Sequence, residues 1–504
     1  MSRAGGRKTA LQDGDSSRRT RPGGLSVRLI LATVLILLSL AVLETARFGV
    51  TISRFEVGRT PAVAYAKADA DGPLVVVAHG FAGSQQMMQG YALPLARAGY
   101  RVVAFDFEGH GRHPVPMSGD VSAIEGTTRL LVQQTGQIVD DVSNGAGPVG
   151  LVGHSMATDI LVRVAADRDD IGPLVLISAF SNAVGPAAPD DLLLVTGAWE
   201  PRLLDFALEA VRMVDPDAGH GNTVESGGVS RRSVVAPYAE HVSVLHSRAG
   251  RGEAVAWLDR AYGRDSNVTI LPTGWAILGL MAGIVLIFRP VSRLLPQRDG
   301  LAQSLTRSRT ALILALPLLL APLVAVTLDI RMLPVLVADY LALHMLIYGA
   351  LQLAMLRYWR VPAGPLNWPA VALLLAACAI FGMALDRYAA NFWPTAERAW
   401  IIGAMMIGAL PYMIADATLT YGQTILGRAM TRAAFLLSLG IAVALDFEGL
   451  FFLILIAPVM VLFYLVFGTM GRDSARRAGP LASGLATGLV LAWALGVSFP
   501  LFQG

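Results

Sequence analysis

The sequence predicts two folds in one chain: an α/β fold with a doubly wound, mostly parallel sheet, and an all-α transmembrane helical domain. Its 504 residues exceed the usual size of a single domain. Hydrophobic residues make up 54% of the chain and charged residues only 15%, well below the roughly 25% typical of soluble domains. Most of this apolar excess is therefore expected to face lipid. The acidic residues, by contrast, concentrate in one polar block.

Four regions follow one another along the chain. Residues 1–24 are rich in Gly, Ser and Arg without apolar periodicity, which predicts a disordered basic tail. Residues 25–46 contain an apolar run that is long enough to span a bilayer as a helix. Residues 50–265 form the polar block, and residues 268–504 are apolar almost throughout.

The first apolar run, 25–43, has a cleaved signal peptide as its alternative interpretation. No small-residue cleavage motif follows it, and it is long for the core of a signal peptide. We therefore expect an uncleaved membrane anchor.

Eight further apolar runs predict transmembrane helices, at 271–288, 311–328, 335–356, 371–385, 400–419, 433–445, 450–467 and 481–501. Arginines follow every second run, in connectors near residues 289–309, 357–360, 428–432 and 472–477. The positive-inside rule then predicts a multi-pass cell-membrane protein with a cytoplasmic N-terminus and an extracytoplasmic polar block. The run 433–445 is short, but it is kept as a crossing because the last arginine group would otherwise lie outside. The arginines are thus assigned to membrane topology and not to nucleic-acid binding.

Within the polar block, short apolar runs alternate with helical patterns, as expected of a parallel sheet covered by helices. The predicted strands are Leu74–Ala78, Arg101–Phe105, 149–152, 174–177, 192–195 and 233–236. The predicted helices are 84–98, 124–142, 157–166 and 248–262. In such sheets the functional residues gather at the carboxyl ends of the strands.

A short motif, Gly153-His154-Ser155-Met156-Ala157, ends one predicted strand and opens a helix. It resembles the nucleophile elbow of the α/β-hydrolase family, G-x-S-x-G, with Ala157 in place of the second glycine. Small flanking residues suit the strained turn and the close approach of the helix. The resemblance implies that Ser155 is the nucleophile. An isolated serine there would be a helix N-cap, so the neighbouring motifs decide the identification.

The tripeptide His79-Gly80-Phe81 follows the first predicted strand, where this family forms its oxyanion hole. The resemblance implies that the backbone N–H groups of Phe81 and Met156 bind the developing oxyanion. It also implies that His79, Gly80 and His154 contact the substrate.

A second loop, residues 106–111, resembles the family's D-x-x-G-H-G segment, which bounds the pocket. We expect Asp106 and His110 to have structural roles. His113, just beyond this loop, is expected on the surface.

The triad acid in this family follows the strand predicted here at 192–195, and Glu200 occupies the position where most relatives have Asp. A glutamate can equally fix the tautomer of the catalytic histidine and stabilise its imidazolium form. Asp190 and Asp191 precede the strand and lie at its wrong end, and Asp205 falls inside a helix. Glu200 is therefore the predicted acid.

The general base is expected in the loop between the last strand and the last helix of the family's fold. His241 follows the strand 233–236 and precedes the helix 248–262. His246 remains the alternative, closer to the start of that helix. The order Ser155, Glu200, His241 is the order expected of this fold.

The resemblance implies a serine hydrolase that cleaves an ester or related acyl bond without a cofactor or a metal. Only a short linker lies between the strands 174–177 and 192–195, where many relatives insert a lid. The membrane domain or the lipid bilayer is then expected to form the missing wall, which favours a lipid or lipid-linked ester as substrate. The alternative is a transporter or membrane-assembly protein that uses the hydrolase-like domain as a non-catalytic binding module.

The remaining candidate residues give weaker functional predictions. The single cysteine, Cys378, lies in an apolar run, so the sequence predicts no disulfide framework and no cysteine-based metal site. Asp339, His344 and Asp416 fall within predicted spans, where ionisable groups are costly. We expect them to reach the interface or to bond between helices, with a transport or relay role as the alternative.

Overall fold

The computed structural model describes residues 23–120, 124–145, 147–297 and 305–503. The basic tail predicted at residues 1–24 therefore lies almost wholly outside the described residues. The strands are β1 (Thr51–Val57), β2 (Thr60–Ala66), β3 (Leu74–Ala78), β4 (Arg101–Phe105), β5 (Val149–His154), β6 (Ile171–Ile177), β7 (Asp191–Gly197), β8 (Thr223–Ser226) and β9 (Val229–Ala236). The helices up to the end of the polar block are α1 (Gly23–Arg47), α2 (Gln89–Arg97), α3 (Arg129–Ser143), α4 (Met156–Ala166), α5 (Pro201–Arg212) and α6 (Arg248–Ala261). The later helices are α7 (Thr273–Val291), α8 (Arg307–Leu328), α9 (Ala338–Tyr358), α10 (Trp368–Tyr388), α11 (Ala396–Thr420), α12 (Ile425–Leu445), α13 (Phe447–Leu450), α14 (Leu453–Ala478) and α15 (Pro480–Ser498).

The described strands form one sheet in the order β1-β2-β4-β3-β5-β6-β7-β9-β8. Strands β3 to β7 and β9 are parallel, which confirms the predicted mostly parallel sheet. The direction of chain progression reverses at β3, which lies between β4 and β5. The loops that follow β3 and β5 therefore meet at the carboxyl edge of the sheet, where a cleft forms.

Strand β3 explains why the centre of the sheet forms. All five of its residues are buried, and its valines fit a pleated surface that is covered on both faces. Val76 packs into one hydrophobic cluster with Leu161 of α4, whereas Val75 packs into another with Leu95 of α2 and Leu258 of α6. The domain thus has three layers, helix, sheet and helix.

The antiparallel edge strands β1, β2 and β8 were not predicted from the sequence. β1 and β2 form a hairpin, as do β8 and β9. Each hairpin turns through glycine at positive φ: Gly58 in the first, Gly227 and Gly228 in the second.

Nine helices of the described chain are long and apolar enough to cross a membrane: α1, α7 to α12, α14 and α15. Helix α12 has 21 residues, so the short run predicted at 433–445 belongs to a helix of spanning length. Arg428 and Arg432 lie inside α12, and Arg472 and Arg476 inside α14, which corrects their expected place in connectors. Arginine is a good helix former, and its long side chain reaches polar surroundings from a position inside a helix.

The intramembrane ionisable residues have protein partners. Asp339 accepts hydrogen bonds from the backbone N–H groups of Met332 (3.0 Å) and Leu333 (2.8 Å). His344 Nε2 lies 3.1 Å from Ser438 Oγ on a neighbouring helix. Both arrangements fit structural roles within the membrane domain.

Hydrogen bonds join the membrane domain to the α/β domain beside the loop that follows β4. Arg112 donates two hydrogen bonds to Asp386 at the end of α10, at 2.6 and 2.8 Å. Arg398 of α11 donates to the carbonyl of Gly109 (3.0 Å). A segment beyond α15 also pairs with this loop, since Met117 N–H donates to the Leu501 carbonyl (2.8 Å). These contacts join α10, α11 and the segment after α15 to the carboxyl edge of the sheet.

Candidate active site

Ser155 lies on a sharp turn between β5 and α4. Its φ of 53° is in the left-handed region, which a residue other than glycine rarely adopts, so the turn is strained. The turn is crowded: a Cβ on Gly80 would come within 2.8 Å of Ser155 Cβ. A Cβ on Gly153 would come within 2.6 Å of Leu161 Cδ1, whereas the methyl group of Ala157 is accommodated, fully buried. These contacts explain why glycine is needed at 80 and 153 but alanine suffices at 157.

Three side chains from separate loops form one chain of hydrogen bonds. Ser155 Oγ lies 2.8 Å from His241 Nε2, and His241 Nδ1 lies 2.6 Å from Glu200 Oε1. Ser155 follows β5, Glu200 follows β7 and His241 follows β9, so all three come from the carboxyl edge of the sheet. The structure therefore brings the predicted nucleophile, base and acid together.

The second oxygen of Glu200 is also fully engaged. Oε2 accepts hydrogen bonds from Ser178 Oγ (2.7 Å) and from the backbone N–H of Gly197 (2.8 Å). Burial acts to raise the pKa of Glu200, but the hydrogen bonds from His241, Ser178 and Gly197 outweigh it, and the pKa lies below its ordinary value. Glu200 is thus held as a carboxylate whose orientation is fixed.

Ser178 is a residue of this cluster that sequence reasoning missed. It follows β6, where some relatives carry their acid, and here a hydroxyl supports the acid that follows β7 instead. Its φ of 51° gives it a second strained turn at the same edge of the sheet.

His79 and His154, predicted to contact substrate, lie behind the cavity and not along it. His79 donates from Nδ1 to the Gly80 carbonyl (2.7 Å) and accepts at Nε2 from Phe107 N–H (3.1 Å), so both ring nitrogens are occupied. His154 donates from Nε2 to the carbonyl of His241 (2.8 Å) and so fixes the loop of that residue. Burial lowers the pKa of His154 to about 4, and His241 nearby adds to the effect. Both histidines position other residues of the site.

The predicted oxyanion donors stand beside the nucleophile. Phe81 and Met156 line the same cavity as Ser155. Among the hydrogen bonds of the described residues, none is donated by the backbone N–H of Phe81 or Met156. Neither N–H group is therefore engaged by an acceptor within the described chain.

The alternative residues occupy other places. Asp191 lies at the opposite end of β7, where it pairs with Arg260 (2.9 Å). His246 packs near Gly274 of α7, and burial lowers its pKa to about 4. His113 is buried, with Nε2 3.3 Å from Thr60 Oγ1, so its expected exposure was wrong: the β1–β2 hairpin, itself not predicted, covers it.

The cavity in front of Ser155 has a volume of about 570 Å³. Ser155 and His241 open into it, and Phe81, Met117 and Phe452 provide apolar walls. Phe452 directly precedes α14, and its ring centroid lies 5.5 Å from that of Phe81. One wall of the cavity therefore comes from the membrane domain. No group of three or more His, Cys, Asp or Glu side chains that could hold a metal ion occurs in the described part of the chain.

Comparison with known proteins agrees with this architecture. The family described as serine aminopeptidase, S33, matches residues 70–246, a stretch that contains Ser155, Glu200 and His241. The chain carries an α/β-hydrolase domain. The strand order, the strained turn at Ser155 and the placement of the three side chains at the carboxyl edge are those of this hydrolase fold.

Three similar proteins each match less than half of this chain. RutD of Variovorax paradoxus (strain S110), whose name assigns it provisionally to carbamate hydrolysis, is 32% identical over 136 residues, 26% of this chain. The match spans 48% of RutD, about half the length of that relative. Two solved structures are also similar. A protein described as a lipase, lip1 of Acinetobacter baumannii AYE, is 15% identical (TM-score 0.33; 44% of this chain, 96% of the other). The dienelactone hydrolase of Anabaena variabilis ATCC 29413 is 16% identical (TM-score 0.33; 42% and 98%).

Proposed function

We propose that this protein is a membrane-anchored serine hydrolase that cleaves an ester or related acyl bond with Ser155, His241 and Glu200. The observation that carries the proposal is the continuous chain of hydrogen bonds from Ser155 Oγ through His241 to Glu200. A binding module has no need of this arrangement, because the strained turn at Ser155 and the buried carboxylate both cost stability.

The proposed reaction begins when His241 Nε2 takes the proton of Ser155 Oγ, which attacks the carbonyl carbon of the substrate. Glu200 holds His241 in the correct tautomer and stabilises the imidazolium that forms. The backbone N–H groups of Phe81 and Met156 bind the developing oxyanion. The proton then passes from His241 to the leaving group as the acyl–leaving-group bond breaks. In the second half, His241 takes a proton from a water molecule that attacks the acyl carbonyl, and it returns this proton to Ser155 Oγ as the carboxylic acid leaves.

The walls of the cavity favour a substrate with an acyl chain. A second cavity of about 90 Å³ shares Phe81 and Phe452 with the first and continues between α14 and α15. Its other walls are almost entirely apolar, including Leu455, Ile456, Leu495 and Phe499. A chain placed there would leave water for apolar surroundings, at about 0.8 kcal/mol per buried CH₂. We infer a lipid or lipid-linked ester whose carbonyl reaches Ser155 while its chain points toward the membrane helices.

A fluorophosphonate probe tests the nucleophile. It should label the full-length wild-type protein, should not label Ser155→Ala, and should label Ser226→Ala as wild type, because Ser226 is an exposed serine at the far edge of the sheet. Absence of wild-type labelling, or equal labelling of Ser155→Ala, would contradict the enzyme proposal and favour a binding role.

We further propose that the hydrolase domain lies outside the cytoplasm, as the arginine distribution predicts. The native Cys378 is 2% exposed, so an introduced cysteine can be labelled with little background. A membrane-impermeant maleimide should label Ser226→Cys on intact cells and Ser308→Cys, at the start of α8, only after lysis. The reverse pattern would overturn the orientation.

A further inference from the structure

A second polar site lies at the far end of the membrane domain. A cavity of about 210 Å³ opens between α11, α12, α14 and α15, and it is lined by Arg428, Arg432, Arg472, Arg476 and Asp416, among others. Helix α14 begins beside the catalytic cavity and ends here. Its 26 residues span about 39 Å, more than the hydrocarbon thickness of a bilayer. This arginine cavity is therefore separate from the hydrolase site.

Positive charge is in excess in the arginine cavity. Asp416, 3% exposed, forms an ion pair with Arg432 at 3.0 Å. Asp473 does not line the cavity, but its Oδ1 lies 3.3 Å from Arg476 Nη1 and 3.7 Å from Arg472 Nε. Among the described side chains near the cavity, four guanidinium groups thus share two carboxylates.

Two arginines have unused hydrogen-bonding capacity. The Arg472 side chain is 30% exposed, and its Nε lies 3.7 Å from Asp473 Oδ1, too far for a hydrogen bond within the described residues. Arg428 donates to the carbonyl of Gln423 (2.6 Å), which leaves most of its five N–H groups unbonded within the described chain. An acceptor from outside the chain could therefore bond the unused N–H groups of both arginines, and hydrogen bonds to charged groups are among the stronger ones.

The positive-inside rule alone does not require several arginines to line one cavity. An arginine such as Arg357, which is exposed at the end of α9, satisfies the positive-inside rule without entering a cavity. In the arginine cavity, by contrast, guanidinium groups of two helices line one cavity. Gly468 helps to leave that space open, since a Cβ there would lie 3.0 Å from Arg432 Nη2.

We propose that the arginine cavity binds a phosphate group. Guanidinium groups pair with phosphate oxygens through two parallel hydrogen bonds, and a phosphate would offset the excess charge. The cavity is smaller than the ~300–1,000 Å³ of most small-molecule sites, so it suits a phosphate group and not a whole lipid or nucleotide. The phosphate belongs either to the head group of an anionic phospholipid or to inorganic phosphate in solution.

Thermal unfolding of the full-length protein in a neutral detergent tests the site. One arm adds inorganic phosphate against sodium chloride of equal ionic strength. The other adds phosphatidylglycerol against phosphatidylcholine. A rise in Tm with phosphate identifies the free anion as the ligand, and a rise only with phosphatidylglycerol identifies the lipid head group, because a ligand that binds the folded state stabilises it.

Matched variants distinguish this site from general charge effects. Arg428→Gln and Arg472→Gln should each weaken the apparent affinity about ten-fold or more, the effect of one charge-assisted hydrogen bond. Arg428→Lys should retain part of the effect, and Arg357→Gln should bind as wild type. Comparison of unliganded Tm values shows whether each variant folds. No rise in Tm in either arm, or an equal loss in Arg357→Gln, would overturn the proposal without affecting the hydrolase assignment.

Discussion

The two walls of the catalytic cavity differ in origin and in chemistry. The wall from the hydrolase domain presents Ser155 and His241, each fixed by hydrogen bonds. The wall from the membrane domain presents Phe452, beside apolar side chains of α14 and α15. Under the proposed function, one domain supplies the reaction and the other selects the substrate. Each side of this division can be tested separately.

The largest effect is expected on the polar wall, from Glu200→Gln. The neutral amide cannot stabilise the imidazolium and can favour the wrong tautomer of His241, so kcat should fall about 10³- to 10⁴-fold. KM should change little, because Glu200 does not line the cavity. Steady-state kinetics on a chromogenic ester measures both constants. A loss of less than ten-fold would show that Glu200 is not the working acid.

An intermediate effect is expected on the apolar wall, from Phe452→Ala. Removing the ring should lower kcat/KM for a long-chain ester about ten-fold relative to a short-chain ester, since pocket contacts with the chain are lost. Phe447→Ala is the matched control, because Phe447 is 61% exposed in the same region. If Phe452→Ala lowers activity on both esters equally, the membrane wall does not select the chain.

A third prediction concerns stability and not rate, through the buried His154 behind the polar wall. Burial lowers the pKa of His154 to about 4, whereas the unfolded chain binds this proton near pH 6.5. Between these values the unfolded state binds more protons, so stability falls as the pH falls. At pH 5 the loss is about 2 kcal/mol, or a Tm decrease of about 5 °C.

The histidine contribution can be isolated with His154→Gln, which does not titrate. Its Tm should fall less than that of the wild type between pH 7 and pH 5. His220→Gln, at an exposed histidine, should change the pH dependence less. An identical fall in Tm for wild type and His154→Gln would mean that His154 does not resist protonation in the folded protein.

The centre of the hydrolase domain could be predicted because its signals are local. The strands β3, β4 and β5 are continuous apolar runs, and the turn at Ser155 needs small residues on either side. The outermost strands β1 and β8 gave weaker signals, because they mix polar and apolar residues and each pairs only with the other strand of its hairpin.

The contacts that complete the site could not be predicted, because they join distant parts of the chain. Ser178 supports Glu200 through a single hydrogen bond, and Phe452 meets Phe81 only when the two domains dock. The sequence predicted the absence of a lid and a replacement wall, but nothing local identifies Phe452 as part of that wall.

The pairing of the segment beyond α15 with the loop after β4 has a consequence for biosynthesis. Pro116 and Gln503, which are hydrogen-bonded, are 387 residues apart along the chain. At typical rates of synthesis, about 20–80 s pass between the translation of these two residues. During that time the hydrolase domain, with Ser155, His241 and Glu200, can already be folded. The cavity then still lacks the wall that comes from the membrane domain. A newly made hydrolase domain would thus remain unselective until the last helix has been inserted.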